Sequence, residues 1–168
     1  MSLPCIFLGG NLETYIYGLD VSLTNTGVAI FTNEGVFVEC SSIDTTKEKV
    51  LRRKLVIIAK EYIKFIKEYP PSVIVIEQGF SRFNTSTQMI FRCMGVTNYI
   101  FSEYEQIMIP STTIKKVITG RGNAKKDEVR DVIFELYPYI KCNNFDESDA
   151  VAVVLTYLQN KKELISNA

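Results

Sequence analysis

The sequence predicts an α/β fold with a mixed five-stranded sheet, three antiparallel strands followed by two parallel ones, flanked by helices. Three short apolar runs near the N-terminus predict the antiparallel part, because a turn signal at Asn33-Glu-Gly35 joins the last two. Two later apolar runs each follow a segment with the periodicity of a helix. This indicates that helices connect the last two strands and that these strands are parallel. The 168 residues, 46% of them hydrophobic, can form the core of one domain.

The strands are expected at residues 15–21, 27–31, 36–40, 73–76 and 107–109. The first three form the antiparallel meander. Residues 73–76 are continuously aliphatic and β-branched, which is typical of a central strand that is buried on both faces.

The first helix is expected to begin at an N-cap of Thr45 or Thr46 and to run through residue 69, where Pro70-Pro71 ends it. Its apolar residues recur every three or four positions. Further helices are expected at residues 84–104, 111–119 with Ser111 as cap, 125–137 and 146–159.

Four acidic residues stand next to apolar runs. Asp20 and Glu77 end strands, and Asp146 and Asp149 begin the last helix, three positions apart and therefore on one face. A carboxylate beside a buried strand is costly unless it is paired or binds metal, so these residues predict a cluster held by divalent cations. Local alternatives stay open: Asp146 as an N-cap, Asp149 as a first-turn acid and Asp20 as a turn cap. Glu147 points away from the other two helical acids and is left out.

Composition excludes several kinds of site. The chain has no histidine and four dispersed cysteines, which argues against zinc sites and against histidine-activated nucleophiles. We expect reduced thiols, a cytoplasmic location and no membrane span, because no apolar stretch approaches ~20 residues. Residues 1–14 are expected to be a leader or extra segment, 15–162 the single domain and 163–168 a tail.

Charge is unevenly distributed although the net charge is zero. Residues 115–130 hold six basic residues against two acidic ones, which favours a polyanion contact beside an acidic site. A solvated helix face is the alternative.

Four motifs in order resemble the RuvC-type Holliday-junction resolvases, a family of the ribonuclease-H-like (retroviral-integrase-like) superfamily. They are Gly18-Leu-Asp20 followed by Thr26-Gly27, Val75-Ile-Glu-Gln-Gly-Phe80, Pro110-x4-Lys115 with Thr119-Gly-x-Gly-x-Ala-x-Lys126, and Asp146-x-x-Asp149-Ala-x-Ala. The resemblance covers roughly residues 15–158. Asp20-Val-Ser replaces the Asp-Pro-Gly of bacterial members, which is typical of a divergent member such as one carried by a phage.

The resemblance implies a ribonuclease-H-like fold and an endonuclease that resolves four-way DNA junctions by paired nicks, leaving 5′-phosphate and 3′-hydroxyl ends. It implies two Mg²⁺ or Mn²⁺ ions held by Asp20, Glu77, Asp146 and Asp149, with Asp20 bridging them. It implies no nucleotide cofactor.

Two further sets of residues follow from the same resemblance. DNA contacts are expected from Phe80, which would stack on a base at the junction centre, and from Lys115, Arg121 and Lys126. Phe80 could instead be a core residue, and Phe83 competes with it. Because a four-way junction is two-fold symmetric, a homodimer is expected, with the helix over residues 85–105 as its interface. The candidate interface residues are Met89, Cys93, Val96 and Ile100, although this helix could simply be buried against the sheet.

Two other functions compete with this interpretation. A non-catalytic branched-DNA-binding protein on the same fold would have no use for four clustered acids. A sugar-kinase/actin-like phosphotransferase needs two such domains, and 168 residues supply one.

Overall fold

The structure is a computed structural model that describes residues 13–78 and 85–166. The strands are β1 Tyr15–Asp20, β2 Asn25–Thr32, β3 Phe37–Asp44, β4 Pro71–Gln78 and β5 Glu105–Pro110. The helices are α1 Leu51–Glu68, α2 Thr85–Ile100, α3 Ser111–Thr119, α4 Lys126–Leu136 and α5 Phe145–Ser166. This is the predicted order of elements. No helix in these described ranges is both long and apolar enough to cross a bilayer.

The strands form one sheet in the order β3-β2-β1-β4-β5. β1 pairs antiparallel with β2 and β2 with β3, whereas β1–β4 and β4–β5 are parallel. The predicted mixed sheet, with three antiparallel strands and then two parallel ones, is therefore confirmed.

The two faces of the sheet bury separate apolar clusters. Residues such as Ile16, Val73 and Val75 pack against α3, α4 and α5. Their neighbours in sequence, such as Tyr17 and Ile74, face α1 and α2 on the other side. The alternation follows from the two-residue period of strands, and it assigns a face to every strand residue.

The predicted start of α1 is wrong. Thr45 is no N-cap, because its buried hydroxyl donates to the carbonyl oxygen of Leu23 and ties the end of β3 to the loop after β1. The helix begins six residues later, at Leu51. Val50 stands at the N-cap and makes no side-chain cap bond. Just before it, Glu48 Oε1 accepts hydrogen bonds from the backbone N–H groups of Lys49 and Val50, both at 2.7 Å.

Other boundaries shift as well. β3 is longer than predicted and continues to Asp44, because it stays paired with β2 as far as Asn25. α2 ends at Ile100, before the predicted residue 104. α5 runs to Ser166, inside the segment assigned to a C-terminal tail.

Candidate active site

Asp20 and Glu77 lie side by side at the ends of β1 and β4. These strands are parallel neighbours with Leu19 opposite Ile76, so the next residues, Asp20 and Glu77, are at one level. Adjacent strands are roughly 4.8 Å apart. Because side chains on the same face of a strand are two positions apart, Glu77 lies on the same face as Val75, which packs against α5. Asp20 lies on that face of β1 as well, as Ile16 does. The predicted meeting of two strand-end carboxylates is therefore in place.

Two glycines let the start of α5 lie directly on the strands. A Cβ on Gly27 would stand 1.9 Å from the backbone oxygen of Asp146, and one on Gly18 would stand 2.3 Å from that of Ala150. Real Cβ atoms do not approach backbone so closely, so another residue at either position would push the helix away. The close contact brings Asp146 and Asp149 to the end of β1.

The helix cap is Asn144, not Asp146. Asn144 Oδ1 accepts a hydrogen bond from the backbone N–H of Glu147 at 2.9 Å. Asp146 is thereby free of a capping role, and its carboxylate accepts a hydrogen bond from the Asn25 side chain. Asp149 forms an ion pair with the Lys126 ammonium group.

The carboxylates destabilise one another's charged forms. Burial raises the pKa of Asp20 to about 7, and the negative charges of Glu77, Asp149 and Asp146 add to the shift, while Lys126 opposes it. Burial also raises the pKa of Glu77 and of Asp149 above their ordinary values. Lys126 counteracts the shift of Asp149. These three acids, with the charge of Asp146 beside them, form one electrostatic unit.

The donor set fits a divalent cation that prefers oxygen. Its members are carboxylates, whose oxygen atoms are the ligands that Mg²⁺ and Mn²⁺ prefer, and the Lys126 ammonium group pairs with Asp149. Across the part of the chain that the structure describes, no three acidic or cysteine side chains already stand in metal-binding geometry. Asp146 and Asp149 instead contact Asn25 and Lys126.

The loop after Asp20 is fixed by buried hydroxyl groups. Thr26, fully buried, donates to the carbonyl oxygen of Ser22 at 2.6 Å and accepts from the Ser22 N–H at 3.2 Å. This reciprocal pair closes the turn that joins β1 to β2. It therefore holds the end of β1, and with it Asp20, against the first residues of β2.

The predicted DNA-contacting residues have different outcomes. Lys115 lies near the acids, since its charge lowers the pKa of Glu77 and Asp149. Lys126 is inside the cluster itself. The guanidinium group of Arg121 is exposed and pairs with Glu128 at 3.1 Å. Phe80, like its competitor Phe83, lies outside the described residues. DNA binding by these residues stays a prediction.

The predicted interface residues need correction. Cys93 is 0% exposed and belongs to the apolar cluster beneath α1 and α2, so it cannot contact a partner. Ile100 packs against the same cluster. Met89 and Val96 are half-buried. The periodicity located the apolar arc of α2 but assigned part of its inward side to a partner.

Two residues of the site were not anticipated from the sequence. Asn25 holds Asp146, and the Ser111 hydroxyl hydrogen-bonds to Glu77 and lowers its pKa. The prediction that Ser111 caps α3 is wrong, because Pro110 stands at the N-cap and Ser111 is the first residue of the helix. Both residues lie at or next to the end of a strand, and in the sequence that position is the feature that could have indicated them as site residues.

The comparisons of sequence identify one family. The family model described as crossover junction endodeoxyribonuclease RuvC matches residues 16–157. The protein of that name from Rickettsia typhi is 30% identical over 159 residues, covering 88% of this chain and 98% of the relative. Among solved structures, Thermus thermophilus RuvC has a TM-score of 0.75 at 18% identity, covering 89% of this chain and 96% of the other. T. thermophilus RuvC in complex with Holliday junction substrate has a TM-score of 0.74 at 17% identity, covering 86% and 92%. At these identities the solved structures support the ribonuclease-H-like fold alone.

Proposed function

Because the chain belongs to the RuvC family of crossover junction endodeoxyribonucleases, we propose that it resolves four-way DNA junctions by paired, metal-dependent nicks. The observation that carries this proposal is the convergence of Asp20, Glu77, Asp146 and Asp149 into one electrostatic unit beside Lys115 and Lys126. Branched DNA is the substrate of one structural relative, and we extend that substrate to this chain.

The four carboxylates are the groups that would hold the metal, as two Mg²⁺ or Mn²⁺ ions. Bound divalent cations supply an activated water and stabilise the charge that develops on the phosphodiester. The chain contributes the oxygen ligands. The close packing of α5 on Gly18 and Gly27 fixes the positions of Asp146 and Asp149. No histidine is available as a base, so activation of the water depends on this site. The products are 5′-phosphate and 3′-hydroxyl ends.

The basic residues around the cluster position the DNA backbone. Lys115 lies close enough to influence Glu77 and Asp149, so its ammonium group can bind a phosphate beside the scissile one. Lys126 forms an ion pair with Asp149, and its side chain is half-exposed. Divalent cations bound to the four acids would compensate Asp149 in its place, and the Lys126 ammonium group would then be available to a DNA phosphate. Arg121, oriented by Glu128, contacts the backbone farther along the strand.

A two-fold dimer gives two matched cuts on a two-fold symmetric junction. The outer side of α2 is the candidate contact surface. Phe91 is 59% exposed and Tyr99 79% exposed, with Ile90 beside them, and exposed aromatic residues are enriched at interfaces. Met89 and Val96, which the sequence predicts at the interface, are half-buried and remain candidates at the margin of this surface.

The test is cleavage of labelled four-way, three-way and linear DNA with and without Mg²⁺. We expect Mg²⁺-dependent nicks in opposite strands of the four-way junction at symmetric positions, and little cutting of linear DNA. Cleavage of linear and four-way DNA at equal rates would contradict the proposed selectivity. Cleavage that persists in excess chelator would contradict the metal dependence.

No specific observation favours the two other candidate functions. A non-catalytic junction-binding protein gains nothing from acids that repel phosphates at the end of β1. A phosphotransferase of the sugar-kinase type is not favoured, because the family match spans residues 16–157 of this one domain. The cytoplasmic location stays a prediction.

A further inference from the structure

A second polar cluster lies beside the start of α5 and contains two cysteines. Cys40 is on the edge strand β3, and Cys142 is in the segment that leads into α5. Their Sγ atoms are 3.5 Å apart, although 102 positions separate them in the sequence. Both thiols are free and half-buried, so small reagents can reach them.

The surroundings hold the two thiols in place. Cys40 Sγ lies 3.2 Å from the carbonyl oxygen of Lys141 and 3.9 Å from Glu147 Oε2. Glu147 is 3% exposed and accepts hydrogen bonds from the Asn143 backbone N–H at 2.6 Å and from its side chain at 3.2 Å. Asn144 Nδ2 donates to Ser42 Oγ at 3.0 Å, which ties the same segment to β3. The thiols therefore face each other across two elements that are already fastened together.

We propose that Cys40 and Cys142 are a site of reversible disulfide formation with low-molecular-weight disulfides such as glutathione disulfide. A disulfide bond requires the sulfurs to approach to about 2.05 Å. That is roughly 1.5 Å less than their present separation, a distance that side-chain rotation can cover. The resulting bond would link β3 covalently to residues 141–144.

The exchange proceeds in two balanced steps. The Cys142 thiolate attacks one sulfur of glutathione disulfide, and one glutathione leaves as a thiolate. Cys40 then loses its proton to solvent and attacks the Cys142 sulfur of the mixed disulfide, which releases the second glutathione. Two protein thiols are oxidised to one disulfide, and one glutathione disulfide is reduced to two glutathione molecules. Donation from the Cys40 thiol lowers the pKa of Cys142, which supports Cys142 as the first attacking group.

The bond would strengthen the support of the active-site helix. It closes a loop of about 100 residues in the unfolded chain, which reduces the entropy that folding must overcome. It also fastens the segment that carries Asn144, the cap of α5. Because the joined groups are already in contact, the acids of the first turn keep their positions. We therefore expect the oxidised protein to be more heat-resistant and equally active.

The experiment uses the full chain with Cys5→Ser, since Cys5 lies outside the described residues. The protein is incubated with glutathione disulfide, and non-reducing peptide mass mapping then locates any cross-link. We expect a Cys40–Cys142 bond and a melting temperature raised by roughly 5–15 °C, which dithiothreitol reverses. Cys40→Ser and Cys142→Ser are the matched controls. Both should melt at the same temperature with either reagent.

Two results would overturn the inference. One is a protein that keeps both thiols, or holds only glutathione adducts, after prolonged incubation. The other is a cross-linked protein that melts no higher than its reduced form. Neither measurement uses DNA, so failure here is distinct from failure of the proposed nuclease function.

Discussion

The N-terminal end of α5 carries buried carboxylates in two opposite electrostatic settings. Glu147, 3% exposed, accepts hydrogen bonds from a backbone N–H and from the side chains of Asn143 and Asn144. Asp149, 7% exposed, faces the carboxylates of Asp146, Asp20 and Glu77, with the Lys126 ammonium group as its counterion.

The difference separates an acid that is satisfied within the fold from the acids that we propose bind metal. Burial is similar for Glu147 and Asp149, so burial does not distinguish them. Their neighbours do, because hydrogen-bond donors satisfy Glu147 within the fold, whereas Asp149 faces other carboxylates, and burial together with the charge of Asp146 raises its pKa. Residues two positions apart in one helix can thus serve stability and chemistry separately. The variants below test this difference between Glu147 and the acid cluster, together with the packing and the charges around the cluster.

The largest effect is expected from the acid cluster. Asp20→Asn or Glu77→Gln should lower the rate of four-way-junction nicking by ~10³-fold or more, because each removes a charged ligand from the site. Affinity for the junction, measured without cleavage, should stay within about threefold, because phosphate contacts supply most of it. The matched control is Glu147→Gln, which should nick at close to the wild-type rate. Wild-type nicking by either cluster variant would remove that residue from the site.

A larger side chain at Gly27 tests the close contact between α5 and the strands. Gly27→Ala places a Cβ 1.9 Å from the backbone oxygen of Asp146 and should lower the free energy of unfolding by ~3 kcal/mol, with loss of activity. Gly95→Ala is the control, because its Cβ would meet nothing within 4 Å on α2. That change should stabilise the protein by ~0.5–1 kcal/mol in urea unfolding. Equal stability of the two variants would contradict the close contact.

Removal of the Glu147 carboxylate should lower the stability of the fold and leave the cleavage reaction unchanged. Glu147→Ala leaves the Asn143 N–H without its partner, so the free energy of unfolding should fall by ~2 kcal/mol. Nicking per folded molecule should remain near the wild-type level. A loss of activity as large as that of Asp20→Asn, in protein shown to be folded, would abolish the distinction between the two settings.

The pH dependence of stability tests the repulsion directly. Asp20 binds its proton more tightly in the folded state, with a pKa of about 7, than in the unfolded chain, where an aspartate has a pKa of about 3.9. Without divalent ions, the contribution of Asp20 to the stability of the wild type should therefore fall as pH rises from about 4 to about 7. Asp20→Asn lacks this loss and should be more stable by ~1–2 kcal/mol at pH 8, and by little at pH 4. Identical pH profiles in chelator would contradict the raised pKa.

The smallest effect is expected from the basic residues. Lys115→Ala and Lys126→Ala should each reduce the slope of log affinity against log salt by about one unit. Lys67→Ala is the control, since Lys67 lies in the last turn of α1, away from the acids. Unchanged slopes for Lys115 and Lys126 would reject phosphate contacts by those residues.

The sequence predicted the sheet and the four acids because both depend on short-range patterns. Strand periods and helix crossovers determine the topology, and the position of a carboxylate after an apolar run indicated Asp20 and Glu77. Gly18 and Gly27 are part of the motifs, but the sequence does not show that α5 packs directly on them, because that contact joins distant parts of the chain.

What the sequence did not reveal depends on partners distant in the chain. Thr45 has the residue type of a cap, yet its hydroxyl bonds to Leu23. Cys93 and Ile90 both stand on the apolar arc of α2, and only packing decides which of them faces inward. Glu147 was set aside by helical rotation, which correctly excluded it from the acid cluster but gave no sign of its own network with Asn143.

The central claim is that the four acids hold divalent cations, and direct Mn²⁺ titration of the purified protein tests it, with free Mn²⁺ measured by electron paramagnetic resonance. The wild type should bind Mn²⁺, Asp20→Asn should bind at least about tenfold more weakly, and Glu147→Gln should match the wild type. Equal Mn²⁺ binding by wild type and Asp20→Asn would contradict the account.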